Sequence, residues 1–154
     1  MAEDLHKLDD WIQALLMRIQ PAQRRAVNRR VAFELRRSQS SRIAAQRNPD
    51  GSAYTPRKNQ GKRLRSKKGT IKRRAMFAKL RTQRYLKVDA DADSLSVEFR
   101  DRAAVIAIVH QYGEESVSST GTRFKMPVRE LLGLTDAELE MIQDTYLRHL
   151  AALE

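Results

Sequence analysis

The sequence predicts an α+β fold, with helices at both ends of the chain and a small antiparallel sheet between them. Apolar residues recur at spacings of three and four over residues 5–19, which is typical of an amphipathic helix. Apolar and polar residues alternate over 95–99, which is the period of a half-buried strand. Thr135 and Glu138 have the spacing of a capping box and therefore predict the start of a last helix.

Two helices are predicted in the N-terminal part of the chain. The first covers about residues 4–20, with Trp11 beside its apolar stripe. The second starts at Pro21, which fits the first turn of a helix, and runs to about residue 47. Its apolar residues fall on two sides, and we expect it to touch two surfaces. One side carries Val27, Val31 and Leu35, and the other carries Ala26 and Phe33.

Residues 48–70 are predicted to form a long, mobile basic arm. The arm begins with a turn cluster at 48–52 and has few apolar side chains. Folding could not offset the ordering entropy there, about 1 to 2 kcal/mol per residue for the backbone. The candidate interaction residues in the arm and just after it are Arg57, Lys58, Lys62, Arg63, Arg65, Lys67, Lys68, Lys72, Arg73 and Arg74.

A third helix and a hairpin are predicted after the arm. Met76, Phe77 and Leu80 indicate a helix over about residues 71–84. An extended piece through Leu86 and Val88 then precedes a turn, so it can pair with the alternating strand as a hairpin. The turn covers residues 89–94.

The rest of the chain alternates short elements with loops. Residues 103–112 fit either a buried strand, from their β-branched residues, or a helix, from their alanines and spacing, and we favour a short helix. A Ser-rich loop over 114–121, a short strand over 123–126 and a compact segment over 127–133 lead to the last helix. The buried stripe of that helix is Leu139, Ile142, Tyr146 and Leu150. With 154 residues, we expect residues 1–154 to form a single domain.

Charge is strongly polarised along the chain. Residues 18–87 hold 23 of the 30 Lys and Arg and only two acids, so this segment carries +21 and the remainder carries −10. Two partners suit the basic segment: a polyanion attracted by counterion release, and a second copy that offers its acidic part. The sequence leaves both open.

Chemical motifs are missing. There is no cysteine, no Gly-rich phosphate loop and no nucleophile elbow, and the three histidines lie far apart in sequence. We therefore expect no enzyme activity, no metal and no cofactor. No apolar run of about 18 residues and no secretory leader is present, so we expect no membrane partner and a cytoplasmic chain.

Several short motifs occur in an order that resembles a known family. They are Asn-Pro-Asp-Gly-Ser at 48–52, Pro-Arg-Lys at 56–58, Met-Phe at 76–77, Leu-Arg at 80–81, His-Gln-Tyr-Gly at 110–113 and Pro-Val-Arg-Glu-Leu-Leu-Gly-Leu at 127–134. The chain resembles, over nearly its whole length, the phage virion morphogenesis family, the tail completion proteins of Mu-like and related contractile-tailed phages. Family members typically have Pro-Ala-Arg where this chain has Pro-Val-Arg at 127–129.

The resemblance implies a structural function. It implies an α+β protein that acts late in tail assembly at the head-proximal end, enables head-tail joining, and forms a ring of subunits around the DNA path. Its partners would be other phage tail or neck proteins, and its place would be the tail of the virion, assembled in the host cytoplasm. The alternative hypothesis is a sequence-nonspecific nucleic-acid-binding protein that uses the basic arm, with salt-sensitive affinity.

Four residues of these motifs are expected to have structural roles. Gly113 would permit a left-handed turn, and Pro127 would fix the start of the following segment. His110 would donate a buried hydrogen bond that orders a loop. Arg129 would pair with an acid of this subunit or of the next.

Overall fold

The structure, a computed structural model, describes residues 2–17, 19–57, 65–66, 69–70 and 75–152. The helices within these residues are α1 (Ala2–Leu16), α2 (Pro21–Ala44), α3 (Arg102–Tyr112) and α4 (Asp136–Ala151). The strands are β1 (Arg65–Ser66), β2 (Gly69–Thr70), β3 (Leu86–Ala90), β4 (Leu95–Phe99), β5 (Glu115–Val117) and β6 (Arg123–Lys125). They pair as three antiparallel two-stranded sheets, β1 with β2, β3 with β4 and β5 with β6. The predicted α+β class is confirmed.

Helix α2 connects two hydrophobic cores. Near its start, Val27 and Val31 pack with α1 and α4. At its end, Ile43 packs with the β3–β4 hairpin and α3. The predicted second contact surface is wrong within this chain, because Ala26 and Phe33 are exposed. The two cores lie one after the other along the axis of α2, not on two different sides of the helix.

Helix α4 completes the first core, and it starts where the sequence predicted. Thr135 Oγ1 accepts from the backbone N–H of Glu138 at 3.1 Å, and Glu138 Oε2 accepts from that of Thr135 at 2.9 Å. This confirms the capping box, which satisfies two amides that the helix itself leaves unpaired. Ile142 and Tyr146, further along α4, are buried in the first core. Helix α1, by contrast, ends at Leu16, earlier than predicted.

The predicted hairpin is present and leads into a helix. Strand β3 pairs with β4 in a register that sets Val88 opposite Val97. Its turn is held by Asp91, whose carboxylate accepts the backbone N–H groups of Asp93 and Ser94, each at 2.7 Å. These hydrogen bonds lower the pKa of Asp91. The ambiguous segment that follows is helical, in agreement with the favoured interpretation.

The predicted helix at 71–84 is wrong for its described part, because residues 75–85 form turns. Phe77 has φ 64°, a left-handed conformation that no α-helix contains. The side chain of Gln46 also forms two hydrogen bonds with the backbone of Met76. Its Oε1 accepts the Met76 N–H at 2.8 Å, and its Nε2 donates to the Met76 carbonyl at 2.9 Å. Residues 71–74 lie outside the described residues.

A second hairpin replaces most of the predicted Ser-rich loop. Strand β5 pairs with β6, which confirms the predicted strand near 123–126 and shortens the loop to residues 118–122. Gly113, with φ 66°, ends α3 in the predicted left-handed conformation and turns the chain into this hairpin. Among the described residues, no helix is long and apolar enough to cross a membrane.

Candidate functional site

Most of the motifs that the sequence analysis singled out meet in space, together with residues 48–57 of the predicted arm. We call the set the motif cluster: residues 46–57, 76–77, 110–113 and 127–133. Gln111, at the end of α3, forms one of its joints. Its Oε1 accepts the backbone N–H groups of Leu131 and Leu132 at 2.8 and 3.0 Å, and its Nε2 donates to the Leu132 carbonyl at 2.7 Å. One amide side chain thereby fixes the 127–133 segment against α3.

The turn at 48–52 joins the cluster from the other side. Asn48 Oδ1 accepts the backbone N–H of Glu130 at 2.9 Å. Gly133 lies against the ring of Pro49 so closely that a Cβ on Gly133 would be 2.6 Å from the Pro49 Cγ. A proline ring cannot move aside as a flexible side chain can, so this approach requires glycine.

Arg129 holds residues 53–57 of the predicted arm, which we call the arm base. Arg129 is 4% exposed, and its Nε donates to the Thr55 carbonyl at 2.7 Å while Nη2 donates to the Pro56 carbonyl at 3.2 Å. Its Nη1 lies 3.1 Å from Nδ1 of His110. Within the described residues its partners are therefore carbonyls and an imidazole, not the predicted acid.

His110 serves Arg129 as an acceptor. A guanidinium has donors only, so Nδ1 of His110 must accept, and the proton of the neutral ring is on Nε2. The prediction that His110 donates is therefore wrong at Nδ1. Burial, followed by the charges of Arg129 and Arg57, lowers the pKa of His110 to about 4. The ring is neutral at physiological pH.

Aromatic rings continue this contact toward the arm. Phe77 meets His110 edge to face, with ring centroids 4.8 Å apart, and meets Tyr54 in the same way at 5.8 Å. The hydroxyl of Tyr54 donates to the Glu130 carbonyl at 3.2 Å. The left-handed backbone of Phe77 places its ring between the two. The Phe77 ring therefore packs against both Tyr54 and His110.

Arg42 is a second clamp, which the sequence analysis missed. Its Nη1 donates to the Glu130 carbonyl and its Nη2 to the Leu131 carbonyl, each at 3.1 Å. Nη2 also donates to Gln39, whose Nε2 donates to the buried Glu138 at 3.0 Å. In the sequence, Arg42 is one of many arginines in a basic helix. Only its position one turn beyond Gln39 sets it apart.

Most of the predicted interaction residues of the arm lie outside the residues that the structure describes. Arg57, the last residue of the 46–57 stretch of the cluster, is exposed, and its charge lowers the pKa of both His110 and Arg129. Arg65 is described only as part of β1. The others lie outside the described residues, namely Lys58, Lys62, Arg63, Lys67, Lys68, Lys72, Arg73 and Arg74. The structure does not bring these residues into a described site.

The chemistry beside the arm base is poor in reactive groups. A cleft of about 890 Å³ separates it from the β5–β6 hairpin. Its wall is mostly apolar, with Phe77, Phe124 and Met126, and its charged lining residues are cations such as Lys125. In the described part of the chain, no cluster of His, Asp or Glu could hold a metal ion. The lining of the cleft contains the hydroxyls of Ser118, Thr120 and Thr122 but no carboxylate.

Helix α3 exposes an apolar surface. Ala103, Ala107 and His110 face the core, whereas the opposite side is apolar and exposed. We call that side the α3 outer face; its exposed residues are Val105, Ile108 and Tyr112, with the half-buried Val109 beside them. Val105 is 66% exposed and Tyr112 is 70% exposed. The sequence signal for it was the run of β-branched residues, which left the choice between strand and helix open.

Comparison with known proteins supports the resemblance that the motifs suggested. The model of one family, described as the phage virion morphogenesis family, matches residues 3–151. The chain is 38% identical to the tail completion protein S of Escherichia phage P2 over 149 residues, which cover 96% of this chain and 97% of that protein. No solved structure matches the chain significantly.

Proposed function

Because the chain belongs to the phage virion morphogenesis family, we propose that it completes the head-proximal end of a phage tail and enables head-tail joining, as a ring of subunits. The family and the relative indicate a structural component of the phage tail. Its partners are then other phage tail proteins, and neck proteins in addition if it joins the head. Assembly in the host cytoplasm is part of the proposal.

The observation that carries this proposal is the α3 outer face. Contiguous exposed apolar patches are rare on proteins that work alone and mark surfaces that bind other proteins. Val105, Ile108 and Tyr112 are each at least 47% exposed on one side of a helix whose other side is packed. We assign this face to a tail or neck protein, whose apolar surface would cover it.

The motif cluster has a supporting part in this function. Arg129, oriented by His110, fixes residues 55 and 56 of the predicted arm, while Gly113 ends α3 and Pro127 precedes Arg129 in the 127–133 segment. A binding segment that starts from a rigid base loses less entropy on docking than one that starts from a loose loop. We therefore propose that these four residues act in assembly through structure, and that the chain catalyses no reaction.

Direct nucleic-acid binding is the second candidate. It is favoured by the exposed side of α2, which presents Arg25, Arg29, Arg30 and Arg37. Such a row could neutralise phosphates in the DNA path of the tail, or make the chain a general nucleic-acid-binding protein. The latter predicts that the purified chain binds DNA of any sequence, with an affinity that falls steeply as salt is raised.

Deletion of the gene from the parent phage or prophage tests the proposal. We expect electron micrographs of the lysate to show filled heads beside unattached or abnormally long tails, and a plasmid copy to restore virions. Normal infectious virions without the gene contradict the proposal and favour nucleic-acid binding. A plasmid copy with Val105→Asp and Tyr112→Asp should fail to restore virions. The purified variant should keep the circular dichroism spectrum of the wild type, which shows that it is folded. Ser119→Asp, at an exposed loop position, is the matched control and should restore them.

A further inference from the structure

We infer that neighbouring copies of this chain bind one another through two different surfaces. The outer side of α4 in one copy lies against the outer side of α2 in the next. This contact rests on the ring of the proposed function and specifies the two surfaces that would form it. It is distinct from the α3 outer face, which we assigned to another tail or neck protein.

The outer side of α4 is an acidic stripe. Asp136, Glu140 and Asp144 are exposed at successive spacings of four, which places them on one side of the helix, opposite the buried Ile142. Leu147 continues the stripe and is 50% exposed. Asp144 also lies 3.6 Å from Arg148, but both side chains are exposed, so this pair is weak. The stripe therefore keeps its negative charge.

The outer side of α2 is a basic stripe of similar pitch. Arg29, Phe33 and Arg37 are exposed at successive spacings of four, with Arg25 and Arg30 beside them. The guanidinium of Arg29 lies over the ring of Phe33, 5.7 Å from its centroid. Phe33 is 42% exposed, like Leu147 a large apolar residue among charges. In the described residues, Glu34 is the only acid of α2, and it pairs with Arg30.

The two stripes are complementary to one another and lie on sides of α2 and α4 that do not face each other within one copy. The two helices pack on one another through buried residues such as Val31 and Ile142, so their outer sides point away from the shared core. The stripes have opposite charge, the same spacing, and one exposed apolar side chain each. Oppositely charged surfaces steer association and fix its register. A second copy is the occupant that supplies both stripes at once.

The geometry of such a contact determines the kind of assembly. The two surfaces are different, so every copy that joins leaves one free α2 stripe and one free α4 stripe. Contacts of this type continue from copy to copy and close into a ring when the rotation between neighbours allows it. A small contact suffices in a closed ring, because each copy is held twice. Exposed charges are screened by salt, so assembly should weaken as ionic strength rises.

Charge reversal on each stripe tests the inference with the purified full chain. One variant carries Arg29→Glu and Arg37→Glu, a second carries Glu140→Arg and Asp144→Arg, and a third carries all four changes. We expect the wild type to assemble in sedimentation velocity, with both two-residue variants at least about tenfold weaker in self-association. The four-residue variant should assemble again, because its stripes are complementary with reversed signs. Circular dichroism checks that each variant is folded.

Mixing provides a second measurement that does not depend on the four-residue variant. The two two-residue variants, each monomeric alone, should assemble when mixed in equal amounts, because each has the stripe that the other needs. Arg102→Glu with Arg123→Glu changes the net charge as the α2 variant does, at exposed positions outside both stripes, and should assemble like the wild type.

Three outcomes overturn the inference. They are a wild type that stays monomeric at low salt, two-residue variants that assemble normally, and failure of both the four-residue variant and the mixture to assemble. A monomeric wild type that still restores virions in the deletion strain would contradict this contact and leave the tail-completion part of the proposed function standing.

Discussion

Arg129 and His110 are joined twice. The backbone N–H of Arg129 donates to the carbonyl of His110 at 2.8 Å, and its Nη1 lies 3.1 Å from the imidazole Nδ1. The first contact ties the 127–133 segment to the end of α3. The second orients a guanidinium that reaches the carbonyls of Thr55 and Pro56. One pair of residues thereby connects three stretches of chain that are distant in sequence.

Loss of the Arg129 side chain should destabilise the fold and loosen the arm base. Arg129→Met removes a buried guanidinium and its hydrogen bonds to the carbonyls of Thr55 and Pro56, so we expect the free energy of unfolding to fall by about 1 to 3 kcal/mol. Urea denaturation measures this loss. Hydrogen exchange at residues 53–57 should rise more than exchange in α4, because those residues lose their anchor.

Two further variants isolate the fork of the guanidinium. Arg129→Lys keeps the charge but cannot span Thr55, Pro56 and His110 together, so it should fall between wild type and Arg129→Met. Arg100→Met removes an exposed arginine that pairs with Glu98 and should change stability by less than about 0.5 kcal/mol. Equal stability of Arg129→Met and wild type would show that the clamp has no energetic role.

The protonation of His110 should make the fold sensitive to mild acid. Its pKa is lowered from 6.5 to about 4, so between these values the unfolded chain binds a proton that the folded chain does not. This contribution is fully present above pH 6.5 and is lost as the pH falls to about 4. Allowing for solvent screening in the open cleft, we expect a loss of about 2 kcal/mol, measured by urea denaturation across this range.

His110→Gln is the matched variant for this effect. A glutamine oxygen can still accept from Arg129 but cannot take up a proton, so the loss between pH 6.5 and 4 should shrink by most of that amount. Carboxylates such as Asp50 and Asp91, whose pKa values are lowered by hydrogen bonds to Ser52 and to the turn after Asp91, titrate alike in both chains. Identical pH profiles of the two chains would rule out His110 as the source.

Elements with a strong local signal were predictable from the sequence. The capping box at Thr135 and Glu138 depends on residues three apart, and the alternation at 95–99 depends on one strand face. Both signals are complete within a few residues, so tertiary contacts need only preserve them. The motif order further indicated the family, although it could not show that the motif segments touch.

Features that depend on distant partners were not predictable. The turns at 75–85 exist because the side chain of Gln46 forms hydrogen bonds with the backbone of Met76 and because Phe77 adopts a left-handed conformation. Neither condition can be seen in the apolar spacing of the segment, which resembles that of a helix. The same holds for Arg42, whose role depends on carbonyls about 90 residues away.

Gly113 should be sensitive to any side chain for two separate reasons. Its φ is 66°, and a Cβ there would lie 2.8 Å from Val128 Cγ2 and 3.1 Å from the Met126 carbonyl oxygen. Gly121 has φ 81° with nothing within 4 Å of its Cβ position, so it carries the conformational cost alone. We expect Gly121→Ala to cost about 1 kcal/mol and Gly113→Ala about 2 to 4 kcal/mol in thermal unfolding. Equal losses would mean that the close approach to Val128 relaxes freely.

A buried relay from α4 to the hairpin turn gives the last prediction. The hydroxyl of Tyr146 donates to Asn28 Oδ1 at 2.5 Å, and Asn28 Nδ2 donates to the Asp91 carbonyl at 2.9 Å. Asn28 is 1% exposed, so Tyr146→Phe leaves its oxygen without a partner and should cost about 1 to 2 kcal/mol in urea denaturation. Tyr112→Phe, at a 70% exposed ring, should cost nothing measurable. In a double-mutant cycle, Asn28→Leu should make the loss of the Tyr146 hydroxyl nearly neutral, with a coupling of about 1 kcal/mol. Additive losses would mean that the two side chains act independently, and that Asn28 holds the hairpin turn without help from α4.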